Sequence, residues 1–222
     1  MNPSLQRWQS RHREAASHPP PEPAAFLVET FPLLPAPHPR SRALDFACGA
    51  GQNAVWLAER GWPVVAVDFA PAALHRAAAL AAAHHIPVQR RSSLVEVTLD
   101  RHPLPGIVLV EADLETSALP EAAFDLILCF HYLHRAAFPA IERALAPRGF
   151  LLYETFTAGA HPSVRPPSLT TDDQRAFLDG PRSPDHLLAR NELRSAFPHL
   201  QTLFYREWTA PQALASLLAR KM

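Results

Sequence analysis

The most constraining feature of this chain is a short, mostly apolar run that stops at a glycine-rich turn. Residues 42–47 form the run, glycines follow at positions 49 and 51, and residues 53–60 have helical character. A run of this length is typical of a strand buried on both faces, as in a parallel sheet. Glycines let a ligand approach the backbone, and the next helix offers free N–H groups. The pattern predicts a ligand-binding α/β fold.

The same alternation continues along the chain. Apolar runs that resemble buried strands are separated by helical stretches, which predicts a parallel sheet with helices on both faces. Residues 200–208 also alternate as a strand does. Residues 213–220 are ambiguous, because their composition favours a helix while their place after a strand and a tight turn favours a hairpin. The remaining predicted strands are 64–67, 107–110, 124–129 and 150–154, and the remaining predicted helices are 71–84, 137–145 and a capped helix turn at 191–197.

The chain divides at about residue 40. Two short helices are predicted before that point, and they flank the proline-rich stretch at 18–23, which no helix can cross. We therefore expect an N-terminal helical segment and linker over 1–40 and a single α/β domain over 41–222. Within this domain, 88–105 and 158–184 look like insertions.

Composition narrows the class of partner. Lys and Arg number 21 and so do Asp and Glu, so the formal net charge is zero. Proteins that bind nucleic acid usually carry a basic excess, so nucleic acid is disfavoured as a partner. Two cysteines do not make a disulfide framework and suit a reducing cytosol. No apolar run approaches the roughly 18 residues of a membrane helix, so we expect a cytoplasmic protein without membrane contacts.

A carboxylate beside the glycine turn bears on the choice of cofactor. Gly49, Gly51 and Ala54 satisfy a relaxed dinucleotide fingerprint, which is a weak signal. Asp45 stands four residues before the first glycine, where it would repel a pyrophosphate but would suit an ammonium and a sulfonium. The charge favours S-adenosylmethionine over NAD. An NAD-dependent oxidoreductase is the first alternative, and a non-catalytic cofactor binder or RNA-associated regulator is the second.

Two further acidic residues follow predicted strands. Asp68 comes 17 residues after Gly51 and can accept hydrogen bonds from both ribose hydroxyls, while Phe69 can lie against the adenine. Asp113 can accept from the adenine amino group, and the backbone N–H of Leu114 can donate to the ring. The alternatives are a helix-capping role for Asp68 and a solvated loop position for Asp113.

Histidines follow the strand predicted at 124–129. Ligands of open α/β sheets bind beyond the carboxyl ends of the strands, so His131 or His134 can remove a proton from a methyl acceptor. The alternative is that they cap or pack against the next helix. The pair has no third ligand at matching spacing, so we expect no metal site. The candidate substrate contacts are Tyr132, Arg135, Glu154, Arg182 and His186. Of these, Arg182 and His186 can bind an anionic group, with ordinary loop contacts as the alternative.

Four motifs resemble the class I S-adenosylmethionine-dependent methyltransferases. They are ALDFACGAGQNAVWLAERGWPVVAVDFAPAAL, VEADLE, FDLILCFHYLHR and LAPRGFLLYETF, and they are most similar to the small-molecule group that includes tellurite-resistance and thiopurine-type enzymes. The resemblance implies a Rossmann-like, seven-stranded, mostly parallel sheet with an antiparallel C-terminal strand, which makes 213–220 a strand. The cofactor residues it supports are Asp45, Ala47, Cys48, Gly49, Gly51, Asn53, Asp68, Phe69, Asp113, Leu114 and Phe130.

The resemblance also shapes the expected activity. It implies methyl transfer to an O, N or S nucleophile of a small molecule. It also suggests an N-terminal lid in which Trp8 and Arg11 fold over the cofactor, with an unattached surface helix as the alternative. The strand at 124–129 is not followed by the Asn/Asp-Pro-Pro-aromatic tetrad expected for amino-group methylation of nucleic acids. The chain departs from the family at Ala47 and Arg148, which stand at positions where glycine is more common.

Overall fold

The computed structural model describes residues 3–38, 40–99, 106–158, 183–209 and 213–222. Within these ranges eight strands form one sheet. In chain order the strands are β1 Ala43–Phe46, β2 Val64–Asp68, β3 Val88–Arg91, β4 Ile107–Glu111, β5 Phe124–Phe130, β6 Leu145–Phe156, β7 Leu200–Trp208 and β8 Leu214–Lys221. Their spatial order is β3-β4-β2-β1-β5-β6-β8-β7.

The sheet is parallel except at its C-terminal end. Strands β1 to β6 all pair in parallel, and β8 pairs antiparallel with both β6 and β7. This confirms a Rossmann-like α/β sheet with an antiparallel C-terminal strand. The composition of β8 favours a helix, but pairing with strands on both sides determines its structure.

The sheet has one strand more than the seven that the resemblance implies. The additional strand is β3, within the segment expected to be an insertion, and it pairs with β4 at the edge of the sheet. Its sequence, Val-Gln-Arg-Arg, contains no apolar run because an edge strand is only partly buried. A segment of four residues with one apolar side chain cannot be distinguished from a loop by its sequence.

Helices cover both faces of the sheet. One face carries α2, α3 and α4, whose buried side chains join one apolar cluster, and the other carries α5, α6 and α7 with a second cluster. Phe26 and Leu27 of α2 are completely buried, so part of the expected N-terminal segment belongs to the core. The helices are α1 Pro3–Glu14, α2 Ala25–Thr30, α3 Gln52–Ala58, α4 Pro71–Ala83, α5 Leu94–Leu99, α6 Phe138–Ala144 and α7 Glu192–Ser195.

The carboxyl ends of the parallel strands meet at one edge of the sheet, which we call the carboxyl edge. The glycine turn follows β1 there, and the segments after β2, β4, β5 and β6 lie beside it. In open α/β sheets this edge is where ligands bind. No helix in the described part of the chain is long and apolar enough to span a membrane.

Candidate active site

The turn after β1 is built from three residues with left-handed backbone. Ala47, Gly49 and Gly51 have φ values of 62°, 55° and 79°. The backbone N–H of Cys48 donates to Val67 in β2 at 2.9 Å, which fixes the turn against the neighbouring strand. A left-handed conformation costs an alanine roughly 1–2 kcal/mol, so Ala47 holds strain where the family more often has glycine.

The two glycines of the turn face different parts of the molecule. A Cβ on Gly51 would lie 2.6 Å from the Cβ of Ala77, so the missing side chain lets α3 and α4 pack closely. A Cβ on Gly49 would instead lie 3.7 Å from Cε1 of His12, in α1. Gly51 therefore serves helix packing, and Gly49 is the glycine that keeps the outer side of the turn open.

Asp68 ties this turn to the next helix. Its Oδ2 accepts from the backbone N–H of Gly49 at 3.0 Å, and its Oδ1 accepts from Ala70 at 2.9 Å, just before α4. Burial raises the pKa of Asp68, while these N–H donors and that of Phe69 oppose the rise. Both sequence interpretations, a ligand carboxylate and a cap at the helix start, are compatible with this geometry, because the three N–H donors do not use all four acceptor positions of the carboxylate.

Asp45 lies in the middle of β1 and is almost completely buried. The backbone N–H of Ala54 donates to its carboxylate, but Oδ2 has no hydrogen-bond partner among the described residues. Burial raises the pKa of Asp45 to about 7, the Ala54 bond opposes the rise, and the charge of Asp68 adds to it. A buried acceptor oxygen without a partner is costly, so this one calls for a donor from outside the protein.

The other predicted cofactor residues differ in how much side chain they leave free. Asn53 is buried, and its Oδ1 accepts from the backbone N–H of Ala24 at 2.8 Å, so it anchors the start of α2. Asp113 is partly exposed, and its Oδ1 accepts from the N–H of Glu115 at 3.0 Å. Four more lie at the carboxyl edge, and their cofactor roles stay predictions: Cys48, Phe69, Leu114 and Phe130.

His131 follows β5 directly and has a left-handed backbone, with φ of 56°. Its N–H donates to the carbonyl of Glu154 at 2.8 Å, and its ring stacks on Phe156 with centroids 5.1 Å apart. The residue is accessible to solvent, yet desolvation by the surrounding protein lowers the pKa of its imidazole. Left-handed backbone at a non-glycine residue is uncommon and is concentrated at functional sites.

Arg135 does not have the free guanidinium that a substrate contact needs. Its Nε and Nη2 donate to the carboxylate of Glu192 at 2.5 and 3.0 Å. Nη1 and Nη2 also donate to the carbonyls of Asp185 and Leu187, both at 2.7 Å. Arg135 thus joins the end of β5 to the segment before α7, a role that the sequence did not indicate.

The remaining substrate candidates are scattered. Glu154 is buried at the end of β6, where Ser216 donates to its Oε2 at 2.5 Å, and burial raises its pKa against the effect of that bond. His134 is partly exposed and precedes a short 3-10 turn. His186 is exposed. Arg182 lies outside the described residues.

Comparison with known protein families identifies the family of this chain. A family model described as a methyltransferase domain matches residues 44–153, the stretch from β1 to β6 that builds the carboxyl edge. The chain belongs to the class I S-adenosylmethionine-dependent methyltransferases. Membership in this class selects S-adenosylmethionine over the nicotinamide alternative.

One protein of similar sequence is itself a methyltransferase. This chain is 28% identical over 166 residues to a malonyl-[acyl-carrier protein] O-methyltransferase of Serratia marcescens, covering 72% of this chain and 52% of that protein. The chain therefore spans about half the length of that relative.

Solved structures share the fold. An S-adenosylmethionine-dependent methyltransferase from Mesorhizobium loti has a TM-score of 0.61 at 22% identity, covering 89% of this chain and 98% of the other. The N-methyltransferase NodS from Bradyrhizobium japonicum has a TM-score of 0.55 at 16% identity, covering 99% and 98%.

The residues at the carboxyl edge fit the cofactor at two places. Asp45 offers a buried acceptor oxygen without a partner, as an ammonium group requires. Gly49 leaves the turn without a side chain on the side that faces α1. A diphosphate would instead meet two neighbouring carboxylates, Asp45 and Asp68, which would repel it.

Two residues of α1 that sequence reasoning missed lie close to the site of the methyltransferase. Gln9 Oε1 accepts from the backbone N–H of Ala72 at 2.9 Å, which attaches α1 to the start of α4. His12 lies against Gly49, with its Nδ1 3.5 Å from Nη1 of Arg76. Burial lowers the pKa of His12 to about 4, and Arg76 adds to the effect, so this imidazole is neutral at pH 7.

The two residues that the sequence predicted for the lid also lie on α1. Trp8 and Arg11 contact each other, with the guanidinium carbon 5.1 Å from the ring centre. The residue that reaches the glycine turn is His12. No sequence pattern distinguished it, because a lone histidine on a polar helix has no periodic signal.

Proposed function

We propose that this methyltransferase transfers the methyl group of S-adenosylmethionine to an oxygen, nitrogen or sulfur nucleophile of a small molecule. The observation that supports the proposal is His131, an accessible histidine with a lowered pKa at the carboxyl edge. It follows the strand next to β1, whose turn carries the cofactor residues.

The cofactor half of the site is assigned to three carboxylates and the turn. Asp45 would accept from the ammonium, Asp68 from the ribose hydroxyls and Asp113 from the adenine amino group, with Leu114 donating from its backbone. The cofactor supplies an electrophilic methyl group on a sulfonium. The lid is assigned to α1, which would close over the turn through His12.

His131 is assigned the role of general base. An imidazole whose pKa is lowered is neutral at pH 7 and keeps a lone pair for a proton of the acceptor. The backbone bond to Glu154 and the stacking on Phe156 hold the ring in place, which reduces the entropy lost when the acceptor aligns. His134 is the second candidate for this role.

The test compares two histidine variants with the wild type. We expect His131→Ala to slow transfer of a tritiated methyl group to a metabolite extract of low molecular mass by about 10²-fold or more, as loss of a general base does. Its calorimetric affinity for S-adenosylhomocysteine should not change. His134→Ala is the matched control and should retain most of the rate.

Two results would contradict the proposal. Wild-type rates in His131→Ala would assign that histidine to packing alone. Label that enters only the macromolecular fraction of the extract would exclude a small-molecule acceptor. The sequence resemblance suggests, more narrowly, an acceptor of the tellurite-resistance or thiopurine type. For such an acceptor, the label must be found in the tellurite or thiol fraction of the extract.

The Serratia relative favours a second acceptor class. Its name describes O-methylation of a malonyl group held by an acyl-carrier protein. If this chain acts likewise, the label should enter a carboxyl ester, which mild alkali releases as methanol. Methyl groups on nitrogen or sulfur would survive that treatment.

A further inference from the structure

The chain has three tyrosines, and one of their hydroxyls differs from the others. Tyr153 donates its hydroxyl to the carbonyl of Tyr132 at 2.9 Å, and Tyr205 donates to Oε1 of Glu207 at 2.5 Å. The hydroxyl of Tyr132 is buried and has no hydrogen-bond partner among the described residues. Native structures rarely leave such a group unpaired, so this hydroxyl calls for a partner.

Tyr132 follows β5, and its ring contacts β1, the strand that leads into the glycine turn. Its ring meets Phe46, the last residue of β1, edge to face with centroids 5.6 Å apart. Burial raises the pKa of Tyr132, and the charges of Cys129, Glu115, Asp113 and Asp68 add to the rise in that order. The ring therefore lies against the strand before the glycine turn, at the same edge of the sheet as the two carboxylates that we assign to the adenine and the ribose.

The chemistry of these three groups is complementary. Carboxylates only accept hydrogen bonds, so Asp68 and Asp113 match the hydroxyl and amino donors of a nucleoside. A nucleoside also presents acceptors, namely its ring nitrogens and the ribose ring oxygen. A phenolic hydroxyl is a donor that can match one of these acceptors.

We propose that Tyr132 donates a hydrogen bond to the nucleoside part of the bound cofactor, and so binds the cofactor rather than the methyl acceptor. This rests on the proposed assignment of Asp68 and Asp113. It changes the role that the sequence indicated for Tyr132. The hydroxyl without a partner in the free protein gains one when the nucleoside binds.

The test measures binding and stability of Tyr132→Phe together. We expect it to bind both S-adenosylhomocysteine and adenosine about five- to tenfold more weakly in calorimetry, the loss typical of one hydrogen bond. Its Tm without ligand should equal or exceed that of the wild type, because no protein bond is removed. Tyr205→Phe is the matched control, with unchanged affinities and a lower Tm, because its hydroxyl has a protein partner.

Each other outcome overturns the proposal. A loss for S-adenosylhomocysteine but not for adenosine would place the hydroxyl against the amino-acid part of the cofactor. A lower Tm with unchanged affinities, or failure of Tyr132→Phe to fold, would show that the hydroxyl has a protein partner. If wild-type protein binds neither ligand, the assigned cofactor site fails first, and that result is separate from any effect of the variant.

Discussion

The two halves of the carboxyl edge hold their polar side chains in different ways. On the cofactor half, after β1, β2 and β4, backbone N–H groups hold the polar side chains. Gly49 and Ala70, for example, donate to the carboxylate of Asp68. On the acceptor half, after β5 and β6, two side chains are held by side chains from distant parts of the chain. Arg135 binds Glu192, and Glu154 binds Ser216, 62 residues further on.

The difference bears on how such a fold diverges. A carboxylate that is held by backbone N–H groups needs no partner side chain, so its position does not depend on the identity of a second residue. The acceptor half depends on pairs of side chains, and each pair can be replaced together. Two proteins similar to this chain differ in the same way, since one is an O-methyltransferase and the other an N-methyltransferase.

The largest effect is expected at Gly51, in the cofactor half. An alanine there would have φ near +79° and a Cβ 2.6 Å from that of Ala77, so α3 and α4 would have to separate. Strain and overpacking together should cost about 3 kcal/mol, which lowers Tm by roughly 6–12 °C in a domain of this size. Thermal unfolding followed by circular dichroism measures this.

Gly49→Ala is the matched control for that variant. Its Cβ would meet only His12, at an ordinary contact distance of 3.7 Å, so it should cost about 1 kcal/mol of stability. It should weaken S-adenosylhomocysteine binding, because the methyl group enters the open side of the turn. Equal losses of stability in the two variants would remove the distinction between the glycines.

The same contrast explains what the sequence could predict. Uniform burial produces the apolar runs of β2 and β5, so both were predicted to within one residue. The short edge strand β3 has three polar residues out of four and left no apolar pattern. Asp45 and Asp68 were identified by their place beside a turn, and their cofactor roles stay predictions. The bond of Arg135 to Glu192 spans 57 residues, and no local signal encodes it.

A smaller effect, of about tenfold, is expected from the charge of Asp45. A bound ammonium favours the ionised carboxylate and lowers its pKa from about 7, so binding releases a proton below that pH. Affinity for S-adenosylhomocysteine should therefore be about tenfold weaker at pH 6 than at pH 8 and level above pH 8. Calorimetry in two buffers of different ionisation enthalpy measures both affinity and proton release.

Asp45→Asn separates this carboxylate from other titrating groups. We expect it to lose the pH dependence between 6 and 8 and to bind weakly throughout. Without ligand, it should unfold at a higher temperature than the wild type at pH 8, because the raised pKa means that folding disfavours the ionised form. A wild-type pH profile in this variant would assign the titration elsewhere.

The smallest effect is expected at Arg135, in the acceptor half. Its side chain is 41% exposed, so loss of its bonds to Glu192 and two carbonyls in Arg135→Ala should cost about 1 kcal/mol, or 2–4 °C in Tm. Arg143, whose pairing with Glu121 is more exposed, is the control and should show no change on substitution by alanine. Cofactor affinity should be unaffected in both. If Arg135→Ala instead keeps its Tm and loses methyl transfer, the guanidinium contacts the acceptor. The acceptor half would then depend less on paired side chains than its hydrogen bonds indicate.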